Sequence, residues 1–400
     1  SSGFIIFSDL TYKRTTSSPI GLIDLTGTCS DITIKNIIFK DSVVSGTNGC
    51  IRYYENIYLG NNFVENIHIL DNLFIGGLIP IYINAPGGLV GVKISNNQFR
   101  DYAYVGMQLE NYAINPYAGI LVSGNSFSST QNNVRALAIS VNGKFLVEKN
   151  NITGNQSGME LGYSGDYANR GTVANNFINI NGEYGIYIRG GGAYFNYIDL
   201  FHNTVNNGST DTISSTLYID GSNKDLTNVN NIYSHLGGGY AVSVKTPPTN
   251  SSIYKLCDKN NYYTTGRNLS IWNGIKNPKL ADLISISHAD SNSVNVDPLY
   301  EDADNLHILH NSLLDNKGYP GTGITADIDG DIRNNTPDIG ADEFVLIPSS
   351  HDAGVNAVDI TSTCEDSLTV AVRIKCFSTD TLRQLNIKVQ LNNQQLLTYH

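Results

Sequence analysis

The chain has 400 residues, with 38 Gly, 24 Tyr, only 15% charged residues and a net charge of -11. The acidic balance argues against a nucleic-acid or anionic-membrane partner, which would call for basic clusters, and weighs against a strongly polyanionic substrate. No apolar run reaches the length of a membrane span. Plentiful Gly and Asn disfavour helix, while the aromatic and aliphatic content disfavours disorder.

The chain opens on Ser1-Ser-Gly-Phe4 with no signal peptide and reads as a piece of a longer precursor. Phe4–Phe7 and Gly21–Gly27 look like strands of an early repeat. A phrase then recurs: apolar, any, apolar, any, any, Asn, any, aromatic or aliphatic. Its Asn falls at Asn72, Asn97, Asn125, Asn150, Asn176, Asn203, Asn231 and Asn260, spaced by 25, 28, 25, 26, 27, 28 and 29 residues. Ile37 holds the same place in an earlier copy. Two positions after the marker stand Phe39, Phe74, Phe99, Phe127, Ile152, Ile178, Val205, Tyr233 and Tyr262.

A period in this range marks a repeat architecture. Each copy carries another alternating segment downstream, from Ile81-Tyr-Ile-Asn84 through Met159-Glu-Leu-Gly162 and Ile186-Tyr-Ile-Arg189 to Val242-Ser-Val-Lys245. Two or three short strands per copy, punctuated by Gly, Asn and Ser, predict one coil of a parallel β-helix, in which like residues of successive coils stack about 4.8 Å apart. The aromatics should form an internal stack. The marker Asn side chains should bond adjacent backbone or one another, and Asn tolerates the left-handed conformation that a corner needs. They are expected to be structural rather than ligand-binding.

From about Asn273 the repeat fades into Val296-Asp-Pro-Leu-Tyr300, Asp327-Ile-Asp-Gly-Asp-Ile-Arg333 and Pro337-Asp-Ile-Gly-Ala-Asp-Glu-Phe344. With this tail the chain resembles the secreted bacterial right-handed parallel β-helix repeat proteins of the pectate-lyase-like fold, over roughly residues 1–346. The resemblance implies an all-β, right-handed parallel β-helix spanning 1–345 with a C-terminal cap, in a secreted or cell-surface bacterial protein. It does not choose among lyases, hydrolases, epimerases and adhesins. Residues 346–351 read as a linker. The alternating segments after it, in 352–400, look like the first half of an immunoglobulin-like surface module, a truncated β-sandwich. The five cysteines have no metal-binding spacing. Cys257 falls on an inward position, and Cys364 and Cys376 flank one strand, too far apart for a local disulfide.

Outward residues of the downstream strand form two columns. One is Tyr82, Gln108, Ala138, Glu160, Tyr187, Tyr218 and Ser243. The other is Asn84, Glu110, Ser140, Gly162, Arg189, Asp220 and Lys245. Tyrosines mixed with acids, Arg and Lys suit a glycan, with rings to stack on sugars and polar groups for hydroxyls. The competing reading is a solvated face on which Arg189, Asp220 and Lys245 pair along the ladder. A loop holding Tyr163, Asp166, Tyr167 and Arg170 is expected beside these columns. The predicted binding set is Glu110, Glu160, Tyr163, Asp166, Tyr167, Tyr187, Arg189, Tyr218, Asp220 and Lys245.

Catalytic candidates are Glu160, Arg170, Arg189 and Asp220. For a lyase, Arg170 or Arg189 would neutralise a uronate, Lys245 or Tyr163 would be the base and Tyr187 the acid. For a hydrolase, the carboxylates are Glu160, Asp166, Glu183 and Asp220. Asp327, Asp329 and Asp331 space carboxylates around Gly330 as Ca2+ loops do, although the closing Glu of such a loop is absent. The rival reading is a polar cap with Arg333 paired internally. The leading expectation is polysaccharide recognition, followed by a polysaccharide lyase or glycoside hydrolase on the same face, and then a structural stalk or adhesin.

Overall fold

The computed structural model describes residues 5–14, 22–26, 28–41, 55–60, 63–85, 87–111, 119–154, 156–162, 168–190, 196–221, 223, 225–245 and 253–344, and the backbone of strands 353–362, 368–376, 387–391 and 394–399. The chain divides into two units, Ser1–Phe344 and Val345–His400. The first is a parallel β-helix. One coil shows the plan: Lys93–Ser95 joins the first sheet, Gln98–Arg100 the second and Val105–Asn111 the third. In every sheet a strand pairs in parallel with the equivalent strand one coil away, so the register follows the repeat.

The corner between the first and second sheets explains the repeated phrase. The residue that turns the corner is the one before the marker. Asp71, Asn96, Lys149, Asn175, His202 and Asn230 have φ of 56, 59, 55, 53, 52 and 62°. At Gly124, with φ 67°, an added Cβ would lie 2.5 Å from Asn96 Oδ1. The left-handed conformation expected of the marker Asn thus belongs to its predecessor, which leaves the marker side chain free to point inward.

There it builds a ladder. From Asn97 to Asn260 each marker Oδ1 accepts both the backbone N–H and the Nδ2–H of the marker one coil earlier, while Asn72 Oδ1 accepts the Ile37 N–H. Asn125 donates to Asn150 at 3.0 and 3.0 Å, and Asn150 to Asn176 at 3.0 and 3.0 Å. Nδ2 also serves backbone carbonyls, as Asn150 does for Val122 and Glu148. The ladder ends on an acid: Asn260 Nδ2 donates to Asp290 Oδ1 at 3.1 Å. Ser293, Cys257 and Tyr262 also donate to that carboxylate.

Beside the ladder, the expected aromatic stack is present. Phe39, Phe74, Phe99 and Phe127 lie nearly parallel, with centroids 4.7, 4.9 and 4.5 Å apart, and are fully buried. Tyr233 and Tyr262 stack again at 5.7 Å. Between them Ile152, Ile178 and Val205 continue the column as aliphatics. Cys257 is buried, as its inward position predicts.

After the last coil, Ser270–Trp272 turns back on Ile275–Asn277 as an antiparallel pair, and a helix, Leu280–Ser287, follows. The repeat did not announce this helix. Asp282 accepts the N–H of Lys279 at its first turn, and Leu283 is buried against the core. Residues 289–344 are largely irregular and return along the second-sheet side. Asn175 accepts from Arg333 at 2.7 Å, Asn230 accepts the N–H of Tyr319 at 2.7 Å, and Ser234 Oγ meets Tyr300 OH at 2.7 Å. Arg333 pairs with Glu343 at 3.1 Å in the interior, the internal pairing expected of a polar cap.

The coil corners also bury two histidines. His235 is fully buried; its Nδ1 accepts the Gly239 N–H at 3.0 Å and its Nε2 faces Ser214 Oγ at 2.8 Å. Burial pushes the His235 pKa down to about 4, and burial followed by the Arg333 charge lowers that of His202. A histidine whose folded pKa lies below its unfolded value supports full stability above the unfolded pKa. That stability is lost as the pH falls, because the unfolded chain takes up the proton first. For His235 the loss between pH 7 and pH 5 is about 2 kcal/mol. Urea midpoints at the two pH values should lie closer together in His235→Gln than in the parent. An unchanged gap would show that the imidazole is not held neutral.

The second unit contains two antiparallel strand pairs, Ala353–Ser362 with Leu368–Cys376 and Ile387–Leu391 with Gln394–Tyr399. Cys364 lies outside the described residues.

Candidate functional site

The third sheet is built from strands including Ile79–Asn84, Val105–Asn111, Arg135–Val141, Ser157–Gly162, Tyr184–Arg189, Ser215–Asp220 and Tyr240–Val244. Its register aligns the outward columns as the alternation predicts. Glu160 stands opposite Tyr187, Tyr187 opposite Tyr218, and Arg189 opposite Asp220. Their inward neighbours Leu161, Ile186, Ile188, Leu217 and Ile219 fill the core, which fixes the outward face.

Glu160 is the centre of the face. Its side chain is only 7% exposed, although the position is outward. Arg135 Nη1 pairs with Oε2, Arg189 Nε lies 3.2 Å from Oε1, and Tyr184 OH donates to Oε2 at 3.4 Å. Arg135 also lies over the Tyr104 ring, with its guanidinium carbon 5.7 Å from the centroid. The carboxylate therefore holds two guanidiniums at the surface; their side chains are 30% and 42% exposed.

Tyr184, Tyr187 and Tyr218 follow in a row, with centroids 5.0 and 5.0 Å apart and planes tilted by 59 and 57°. Burial, then the nearby Asp220 and Glu160 charges, push the Tyr187 phenol up to about 12. Burial, then Asp220, raise Tyr218 as well. Both phenols therefore stay protonated and able to donate at neutral pH. Lys245 pairs with Asp220 at 3.3 Å, and the hydrogen bond it donates to that carboxylate favours the charged ammonium. Toward the earlier coils, Glu110 accepts from Tyr82 OH at 3.1 Å and from Gln108 at 2.6 Å.

Where the strands begin, a cleft of about 530 Å3 opens against the same cluster. Arg135, Ser157, Glu183, Tyr184 and Asp211 line it, so it is mostly polar. Arg135 and Tyr184 were not among the residues picked from the sequence. They stand at strand heads, on the inward beat of the alternation, but there the chain is still turning the corner and their polar ends reach Glu160 one coil away.

The other predicted residues divide. Tyr163, Asp166 and Tyr167 lie outside the described residues. Arg170 is not beside the third-sheet columns. It leads into Gly171–Ala174 of the first sheet. There it bonds Asp199 at 2.8 Å, the carbonyls of Ile198 and Asp225, and Thr227. It clamps three coils together.

The Asp327–Asp331 segment is not an open carboxylate cage. Asp327 is fully buried; its Oδ1 accepts the N–H groups of Asp329, Gly330 and Asp331, and its Oδ2 accepts that of Glu343. Asp331 is exposed, while Asp329 lies 2.8 Å from His307 Nε2.

Fold and site together define a parallel β-helix repeat domain with one polar, tyrosine-bearing face bordered by a cleft. A family model described as a protein of unknown function (DUF1565) matches residues 28–197, so the chain is similar to that family across the coils that carry Arg135, Glu160 and Arg189. No curated protein matches the chain. Among the described residues, no helix is long and apolar enough to cross a membrane.

Proposed function

We propose that the third-sheet face and its cleft bind a polysaccharide chain, and that the β-helix serves this role within a larger secreted or bacterial cell-surface protein, followed by an immunoglobulin-like module. The observation that carries the reading is the row Tyr184, Tyr187 and Tyr218 beside the guanidiniums that Glu160 holds. The part-exposed rings of Tyr187 and Tyr218, 5.0 Å apart and backed by the buried Tyr184, offer a sugar-stacking strip, and Arg189, Asp220 and Lys245 supply donors and acceptors for hydroxyls. The strip runs along the solenoid axis, so a linear chain can lie across several coils.

Binding is favoured over lyase chemistry because Lys245, a candidate base, is engaged with Asp220, and Arg170, a candidate neutraliser, is committed to the first sheet. A glycoside hydrolase remains a second reading, because Glu183 and Asp211 place two exposed carboxylates in the cleft.

Affinity electrophoresis in gels cast with a panel of neutral and acidic polysaccharides tests this. At least one glycan should retard the parent chain, and Tyr187→Ala with Tyr218→Ala should restore free migration. Stacking of this kind loses about 0.5–1.5 kcal/mol per ring removed, so the double variant should bind roughly fivefold to more than a hundredfold more weakly. New reducing ends, abolished by Glu183→Gln, would replace binding with hydrolysis. New unsaturated ends would replace it with a lyase. No retention and no turnover across the panel would leave a structural stalk.

A further inference from the structure

The C-terminal cap holds a second cluster of chemistry-bearing side chains, away from the third-sheet face. His307, Asp329 and Asp342 come from three separate segments, and one ligand atom of each lies within 4.8 Å of the other two. We propose that these three residues bind one divalent cation of the zinc class, and that this ion pins the cap to itself.

Three observations converge. First, His307 is oriented for ligation. Its Nδ1 meets Asn305 Oδ1, and its Nε2 lies 2.8 Å from Asp329 Oδ2, a contact that a shared proton or a shared cation holds. The Asn305 contact is the outer-partner arrangement that fixes a metal-binding imidazole. The ring is further located by the Phe177 edge at 4.9 Å.

Second, Asp342 is 7% exposed, its Oδ2 takes the Ile308 N–H at 2.8 Å, and among the described residues its Oδ1 has no hydrogen-bond donor. That oxygen is open to a cation as well as to water. Third, the carboxylates of Asp327 and Asp329 place further negative charge beside Asp342, and a bound divalent ion would offset it.

The donor set selects the ion. One imidazole nitrogen with two carboxylates suits Zn2+, while Ca2+ prefers six to eight oxygens. Tetrahedral ligands bonded at about 2.1 Å lie about 3.4 Å apart, so the three side chains would draw in from their spread of up to 4.8 Å as the ion binds, with water as the fourth ligand. The site is independent of the glycan reading and uses only Asp329 of the acids that the sequence spacing suggested.

The test uses the full, untagged 400-residue chain, stripped with chelator and titrated with Zn2+, Mn2+ and Ca2+ in parallel. Bound metal is measured by elemental analysis, and the unfolding temperature is followed alongside. The expected result is about one Zn2+ per chain, a raised unfolding temperature, and little response to Ca2+. His307→Gln and Asp329→Asn should each weaken uptake about tenfold or more and lose the thermal shift while folding normally, since Asp329 is exposed. The inference is overturned if the parent takes up no Zn2+, if both variants bind as the parent does, or if Ca2+ fills the site in preference. Each outcome is readable whatever happens on the third-sheet face.

Discussion

Replacing Asn150 with Ala is expected to lower the unfolding free energy by about 3–5 kcal/mol. Five hydrogen bonds converge on this side chain. Nδ2 donates to the carbonyls of Val122 and Glu148 and to Asn176 Oδ1, and Oδ1 accepts two donors from Asn125. The variant leaves the buried Asn125 N–H with nothing to donate to, and an orphaned buried donor costs about 1–3 kcal/mol. The freed carbonyls add to that, and no water can replace the amide at a position with 0% exposure. The neighbouring Asn151→Ala is the control. Asn151 is exposed, and its change should stay within about 0.5 kcal/mol. Urea unfolding followed by circular dichroism compares the two. Equal effects would mean that the ladder is ornamental.

The second large effect is expected at the Glu160 cluster. Arg135→Met or Arg189→Met alone leaves the carboxylate one guanidinium. The double variant leaves a buried carboxylate with only Tyr184 to donate to it. Breaking a fully buried ion pair costs about 3–5 kcal/mol. Here both arginines are part-exposed and their own rehydration is cheap, so about 2–4 kcal/mol is expected for the double change. The double variant should lose more than the sum of the singles, because the first loss is covered by the remaining arginine. Glycan retardation should fall with it, since the guanidiniums and the tyrosine row share one support. Additive losses, or a double variant as stable as the parent, would show that Glu160 does not depend on the pair.

The coils could be read from the sequence because their constraints repeat. A marker Asn meets its neighbour's amide only when the next coil places another Asn in register, and Phe74, Phe99 and Phe127 can share a column only at one spacing. Period and alternation therefore locate Tyr187, Arg189, Tyr218 and Asp220 on one face. What the period does not govern was not readable. Arg135 and Tyr184 sit where a strand begins and alternation has not taken hold. Arg170 looked like a loop cation because its partners, Asp199 and Thr227, lie one and two coils on. The cap does not repeat at all. Its His307 and Asp342 meet Asp329 through folding of an irregular segment, and Asp327 is spent on four backbone N–H groups, neither of which the spacing within Asp327–Asp331 reveals.

The ladder also bears on how such a chain changes length. Each marker Asn offers one coil the acceptor that it seeks from the next, and all are oriented alike. A duplicated stretch such as residues 151–176 would therefore enter with both of its edges already matched, and the new amide would join the row without an orphan. Inversion or a half-coil insertion would not. Only the far end is specified individually, where Asp290 accepts the last donor and has no amide to pass on. Coil number is thus an adjustable dimension ahead of that specified end, and the length of the tyrosine face can grow or shrink by whole coils while its chemistry stays in place.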